Sequence, residues 1–205
     1  MIEDKLIVIT PEHCMLNEPD TWIKLLETGV GKIHIRKPKA DVTKLSRLID
    51  AVPPAYKSRL VMHYHPQIAI EHGTGFHVPY SNMSGGRVLM PASTTLSASV
   101  HNWQEAEMAS KMCSYFFISP VFDSISKIEY PANTKLQNVP THMGSNKIYA
   151  LGGVRAENIK LAISSGYYGV AVLGALWNSE RNAIDTASHM IDILEEQPKV
   201  APCPL

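Results

Sequence analysis

Short runs of apolar and β-branched residues recur along the chain, separated by segments whose apolar positions repeat at helical spacing. The runs fall at 6–10, 32–36, 60–63, 75–78, 95–100, 115–119, 147–151 and 169–173, and each predicts a strand. Between them, 41–51 places Val42, Leu45, Leu48 and Ile49 on one face, and 156–165 does the same with Ile159, Leu161, Ala162 and Ile163. Further helices are predicted over 22–28, 102–111 and 182–196, with Asp41, Asn102 and Asn182 standing where N-caps belong. The strand starts are spaced by roughly 23 residues on average, close to the smallest unit that a strand and its returning helix occupy. Parallel pairing follows, and the count of units favours a compact (β/α)8 TIM barrel over an open doubly wound sheet. The gaps after the third and fifth strands look short for a full helix. Residues 120–146 read mostly as loop, and a loop of that length in a compact domain is more often functional than accidental. The pattern makes 1–196 one domain and 197–205, with Pro198, Pro202 and Pro204, an extended tail.

Composition narrows the function classes. A chain of 205 residues with 45% hydrophobic and 19% charged content buries one sizeable core. Lys+Arg 19 against Asp+Glu 19 leaves no net field to hold nucleic acid or an anionic membrane, so any bound anion must be gripped locally. The apolar stretches 6–9 and 169–177 are too short to span a bilayer, and Glu3 and Asp4 sit where a secretory signal carries positive charge. A cytoplasmic location is expected. Cys14, Cys113 and Cys203 fit neither a disulfide framework nor a cysteine-rich zinc site.

In a barrel of this kind chemistry belongs at the C-terminal ends of the strands. Those ends carry His34 and Arg36, His63 with Tyr64 and His65, His77, Ser99 and His101, Ser119, Gly152 and Gly153, and Gly174. An imidazole serves as acid, base or ligand near neutral pH, although a single histidine at a strand end is more often a hydrogen-bonded structural group. Only the clustering argues for chemistry. The anion signal is stronger: Gly152-Gly153 ends the seventh strand and Leu173-Gly174 the eighth, where glycines open the backbone to a phosphate. Ser124, Ser126 and Lys127 add hydroxyls and a cation from the long loop, and Arg36 offers a planar donor fork from the opposite side.

The run Ile118-Ser119-Pro120-Val121-Phe122-Asp123-Ser124-Ile125-Ser126-Lys127 resembles the sixth-strand loop of thiamine phosphate synthases. Ala150-Leu151-Gly152-Gly153-Val154 with Asn158, and Gly169-Val170-Ala171-Val172-Leu173, are similar to that family's last two strands. The resemblance implies a (β/α)8 barrel that forms homodimers. It also implies that Ser124, Ser126, Gly153, Leu173 and Gly174 hold the phosphate of a hydroxyethylthiazole phosphate. Gly152 joins them from its place in the glycine turn, and Ser99, His63 and His77, at strand ends, are expected to line the substrate pocket. The family couples that ligand to an aminopyrimidine diphosphate with the help of magnesium. This chain departs from the pattern at the metal: Tyr64 and Asn82 stand where the resemblance calls for carboxylates, so no cofactor is expected and magnesium should bind weakly or not at all. His34-Ile35-Arg36-Lys37-Pro38 keeps the family's arginine but not its glutamine or its final lysine.

TenI proteins of the same superfamily isomerise a thiazole carboxylate phosphate, and Ile33-His34-Ile35-Arg36 and Ser99-Val100-His101 are closer to their pattern. Their catalytic histidine, however, corresponds to Pro120 here. Coupling and isomerisation both stay open, with Lys127, Arg36, His101 and His34 as the candidate catalytic residues. A non-catalytic thiazole-phosphate binding protein is the third reading, and a metal hydrolase built on His63 and His65 the last. Apart from that last one, none of these readings assigns a metal ligand.

Overall fold

The computed structural model describes residues 4–84, 90–123, 132–179 and 181–196. Among them, eight parallel strands close into a barrel in chain order: β1 Leu6–Ile9, β2 Lys32–Ile35, β3 Leu60–Met62, β4 Gly75–Pro79, β5 Leu96–Val100, β6 Tyr115–Ile118, β7 Ile148–Ala150 and β8 Gly169–Val172. Closure is made by β1 lying beside β8 as well as β2, with Leu6 opposite Val170 and Val8 opposite Val172. That pairing rules out the open sheet and gives the predicted (β/α)8 barrel.

Helices coat the outside: α1 Glu18–Thr28, α2 Val42–Asp50, α3 Pro54–Lys57, α4 Pro66–His72, α5 Tyr80–Ser84, α6 Trp103–Ala109, α7 Ala156–Ser164, α8 Gly174–Trp177 and α9 Ala183–Glu195. The three expected N-caps form, each side chain accepting from the backbone N–H three residues on: Asp41 from Lys44, Asn102 from Glu105 and Asn182 from Asp185. The short gaps after β3 and β5 hold two-turn helices, so a full-length helix is not needed to cover a three- to five-residue strand. Within 120–146, the described residues form two 3₁₀ turns, Thr134–Leu136 and Thr141–Met143. Residues 124–131 and the tail 197–205 lie outside the described residues.

Both faces of every strand are used. Outward-facing Leu6, Val8, Ile33, Ile35, Phe116, Ile118, Val170 and Val172 pack with Trp22, Leu25, Leu45, Ile159 and Met190 of the helices into the main core. Inward-facing Ile7, Ile9, Tyr115, Phe117, Tyr149 and Ala171 form a second, smaller core inside the barrel. Period-2 alternation therefore separates two apolar compartments instead of core from solvent.

One charge pair anchors the first loop. Lys37, directly after β2, has no exposed surface on its side chain, and its Nζ lies 2.5 Å from Glu18 Oε1, which is equally buried. The same ammonium donates to the carbonyls of Pro11 and His13 at 2.7 and 2.5 Å. This pair explains why α1 starts at Glu18, a turn earlier than the pattern from residue 22 predicts. The carboxylate must enter the fold to meet Lys37.

Because both charges are out of water, removing one strands the other. Lys37→Met should cost about 3–5 kcal/mol of stability, and the double variant Lys37→Met/Glu18→Leu should recover most of it. Urea unfolding midpoints of the two variants check this; a double variant no more stable than the single one contradicts it.

Candidate functional site

The strand ends meet at one rim, and the groups gathered there divide into a side-chain half and a backbone half. On β2, β4 and β5 inward positions are polar. His34 lies opposite Val61 on β3, His77 opposite Ser97 on β5, and Ser97 opposite Tyr115 on β6. His34 is 0% exposed and both its ring nitrogens are engaged: Nδ1 is 2.9 Å from His63 Nε2, and Nε2 is 2.8 Å from the Tyr115 hydroxyl. His77 is held the same way, with Nδ1 2.9 Å from Ser97 Oγ and Nε2 2.7 Å from Ser99 Oγ. His63 and His77 stack with ring centroids 4.2 Å apart, and Phe117 stacks on the far face of His77.

Burial, and after it the neighbouring imidazoles, hold His34 well below the ordinary histidine range, and the same causes act on His63 with Arg36 adding to them. Burial alone lowers His77 from 6.5 to about 3. All three rings are therefore neutral at pH 7. His34, read from sequence as a candidate base, is instead sealed inside the barrel with both nitrogens hydrogen-bonded, so it presents no base to a substrate at the rim.

The other sequence candidates separate. His101 is exposed at the end of β5, its Nδ1 2.9 Å from the Ser119 carbonyl, and its backbone N–H donates to Glu105. A carbonyl only accepts, so Nδ1 carries a proton, and Nε2 has no partner among the described residues. Arg36 points to the rim but is paired with Glu12 at 2.6 Å. His65 turns away as the left-handed N-cap of α4, its Nε2 buried without a hydrogen bond among the described residues, so His63 joins His34 and His77 and not His65. Tyr115, Ser97, Glu12 and Glu18 were not singled out by sequence. The inward register of β5 and β6 is the signal that would have found Tyr115 and Ser97.

The backbone half is built from the ends of β6, β7 and β8. Gly152 and Gly153 have φ of 87° and 65°. A Cβ on Gly153 would lie 2.4 Å from the Asp123 carbonyl oxygen and 2.5 Å from that of Phe122. The glycine is thus required by the close passage of the β6 loop, whether or not a ligand is bound. Asn158 fixes this turn, accepting from the Arg155 N–H and donating to the Gly153 carbonyl, both at 2.9 Å. After β8, Leu173 leads into α8, whose first N–H groups, on Gly174 and Ala175, have no partner among the described residues. Trp177 of α8 donates from Nε1 to the Ile9 carbonyl at 2.7 Å, tying this corner to β1. Ser124, Ser126 and Lys127 lie outside the described residues.

The donor set does not fit magnesium. Tyr64 is 38% exposed after β3 and Asn82 is exposed on α5, and neither brings a carboxylate. The metal-ligand side chains that converge among the described residues are three imidazoles, whereas magnesium selects hard oxygens.

Two measurements follow from this geometry. Gly153→Ala should destabilise the fold by about 2 kcal/mol or more, a Tm loss of roughly 4–8 °C, because a positive φ and a carbonyl overlap act together. An unchanged Tm contradicts the close-packing account. For the imidazoles, His77 titrates near 6.5 when unfolded and near 3 when folded, so the unfolded chain takes up the proton first. Stability is then full above pH 6.5 and falls as pH drops toward 3. At pH 5 the loss from His77 alone is about 2 kcal/mol. Urea midpoints at pH 7 and pH 5 read it; equal midpoints overturn it.

Comparison with known proteins accords with this arrangement. Residues 6–176 match the family model described as thiamine monophosphate synthase. The thiamine-phosphate synthase of Koribacter versatilis is 29% identical over 206 residues, covering 93% of this chain and 95% of that protein. The crystal structure of thiamine phosphate pyrophosphorylase from Bacteroides thetaiotaomicron superposes with a TM-score of 0.72 at 25% identity, over 94% of this chain and 98% of the other. The thiamine phosphate pyrophosphorylase of Pyrococcus furiosus has the same fold at 18% identity, with a TM-score of 0.73 over 95% and 96%. With a closed barrel, glycine turns at the ends of β7 and β8 and a match spanning all eight strands, the chain belongs to the thiamine monophosphate synthase family.

Proposed function

We propose that the chain is a thiamine-biosynthesis enzyme that holds hydroxyethylthiazole phosphate at the rim of the barrel and couples it to an aminopyrimidine diphosphate. The observation that carries this reading is the pair of N–H groups on Gly174 and Ala175 that have no partner among the described residues, at the end of the strand next to the one that ends in the Gly152-Gly153 turn. Backbone donors there receive a phosphate without needing a cation. Ser124, Ser126 and Lys127 extend the cup on the strength of the sequence resemblance. Arg36, already neutralised by Glu12, orients the ligand. Lys127 supplies the positive charge that stabilises the departing diphosphate, and magnesium contributes little. A homodimer in the cytoplasm belongs to the same reading and rests on resemblance and sequence alone.

A second reading, isomerisation of a thiazole carboxylate phosphate, is favoured by His101. Its Nε2 has no partner among the described residues, and the Ser119 carbonyl fixes the proton on Nδ1, as a general base requires. Incubating the purified protein with the coupling pair, and separately with the thiazole carboxylate tautomer, distinguishes the two. Thiamine phosphate in the first reaction supports coupling; turnover only in the second assigns isomerisation, and loss of it in His101→Gln identifies the base. Ligand binding without turnover in either makes the chain a binding protein and overturns both. In whichever reaction proceeds, Lys127→Ala should lower the rate by about 10²–10³ and Arg36→Ala by less. A lysine variant that keeps most of its rate refutes the assignment.

A further inference from the structure

We propose that His34, His63 and His77 form a binding site, inside the barrel, for a borderline-soft first-row metal dication such as zinc. The proposal is independent of the thiazole phosphate reading. It begins from the three rings: each offers one nitrogen, and those nitrogens all lie within 4.8 Å of one another. They project from the ends of β2, β3 and β4, three strands joined by their own ladders, so the framework that presents them is rigid.

Zinc–nitrogen bonds of about 2.0–2.1 Å in a tetrahedron set the ligand atoms roughly 3.3–3.4 Å apart. His34 Nδ1 and His63 Nε2 are 2.9 Å apart and need only open slightly. No pair has to close by more than about 1.5 Å, within reach of a small side-chain rotation. Binding replaces the hydrogen bond between His34 and His63 with an ion held by all three rings, the His63 proton moving from Nε2 to Nδ1.

The outer contacts are those a metal-bound histidine requires. With His34 Nε2 donating to the Tyr115 hydroxyl, Nδ1 is the lone pair facing His63. With His77 Nδ1 donating to Ser97 Oγ, which donates to the Phe76 carbonyl, Nε2 is the lone pair of that ring. Such partners fix the tautomer and the ring orientation of a ligating imidazole. Neutral imidazoles are also the form that binds metal, so protons do not compete at pH 7. Three nitrogens suit zinc, copper, nickel or iron and not magnesium or calcium. Because all three ligands are neutral and Arg36 lies near His63, the ion favours an anionic fourth ligand such as hydroxide. Ser99 Oγ, 2.7 Å from His77 Nε2, stands on that side.

The test uses the full chain without a histidine tag, stripped with chelator and titrated with Zn²⁺ alone, then with Co²⁺ alone. One ion per chain, a visible Co²⁺ spectrum of tetrahedral type and a rise in Tm with added Zn²⁺ are expected. His34→Gln and His63→Asn keep neutral hydrogen-bonding side chains, and each should weaken Zn²⁺ by at least about 100-fold, the upper end for losing an outer-shell partner. His72→Gln, at a separate surface pair with Asp50, should bind as the parent does. Should one interior variant not fold, the other and the parent's Co²⁺ spectrum carry the same information. No stoichiometric binding, binding that survives in both interior variants, or binding lost in His72→Gln overturns the proposal and leaves the cluster a hydrogen-bonded polar core.

Discussion

A closed eight-stranded barrel seals its interior from water, so every polar group placed inside has to find its partner there. Barrels usually meet this constraint with branched aliphatic side chains. Here only part of the interior does so, with Ile7, Ile9, Phe117, Tyr149 and Ala171, while β2 to β5 send in His34, His77, Ser97 and Ser99 and His63 follows β3. The polar side is satisfied as two chains. One runs from the Tyr115 hydroxyl through His34 to His63, the other from Ser97 through His77 to Ser99. His34 and His77 engage both ring nitrogens, and the contact between His34 Nδ1 and His63 Nε2 has room for one proton, so those two rings cannot both be charged. Burial and hydrogen bonding therefore enforce the same protonation state, and a single substitution leaves its neighbour with an unpaired group in a dry space.

Full charges are handled differently, at the rim and outside it. Lys37 and Glu18 are buried together, and the lysine also takes the carbonyls of Pro11 and His13. That set ties the loop after β1 to the end of β2. Glu12, in the same loop, reaches Arg36 next to Lys37. Position and charge at this side of the rim thus depend on a loop whose sequence, Pro11 to Asn17, carries no regular pattern of its own. The two adjacent basic residues part ways: one fixes the loop, the other faces the site.

The barrel was legible because its cause is periodic. Strand runs at roughly even spacing, each with a cap or an amphipathic segment after it, admit few topologies, and the capping roles of Asp41, Asn102 and Asn182 depend only on local chemistry. The histidines were legible as strand-end residues but not as a cluster. Which rings meet depends on register between strands: His34 and His77 belong to strands separated by β3, and His65, two residues from His63, is swung out by a left-handed backbone. The start of α1 was misplaced for a related reason. Glu18 reads as a surface acid until its partner, 19 positions on, is known to be buried. Gly153 was read for its openness to phosphate, whereas its steric necessity comes from Phe122 and Asp123, a contact across two strands.

These differences sort the rim into two halves with different tolerance to change. The ends of β7 and β8 present backbone N–H groups from Gly152 to Ala175, and a backbone donor survives most substitutions around it provided the glycines stay. The ends of β2, β3 and β4 act through side chains, so each substitution there rewrites the chemistry. Apart from Arg36, the residues by which this chain resembles its family, such as Gly152, Gly153, Asn158 and Gly174, lie in the first half, and those by which it departs, His34, Tyr64 and Asn82, lie around the second. A barrel divided this way can keep one anchor for a phosphate while the opposite wall exchanges hard oxygen donors for nitrogen. The exchange is coherent because the incoming rings arrive with Tyr115, Ser97 and Ser99 as partners. One imidazole placed alone in that wall would be an unsatisfied buried group; as a set they form a wall that is neutral, hydrogen-bonded and rich in nitrogen.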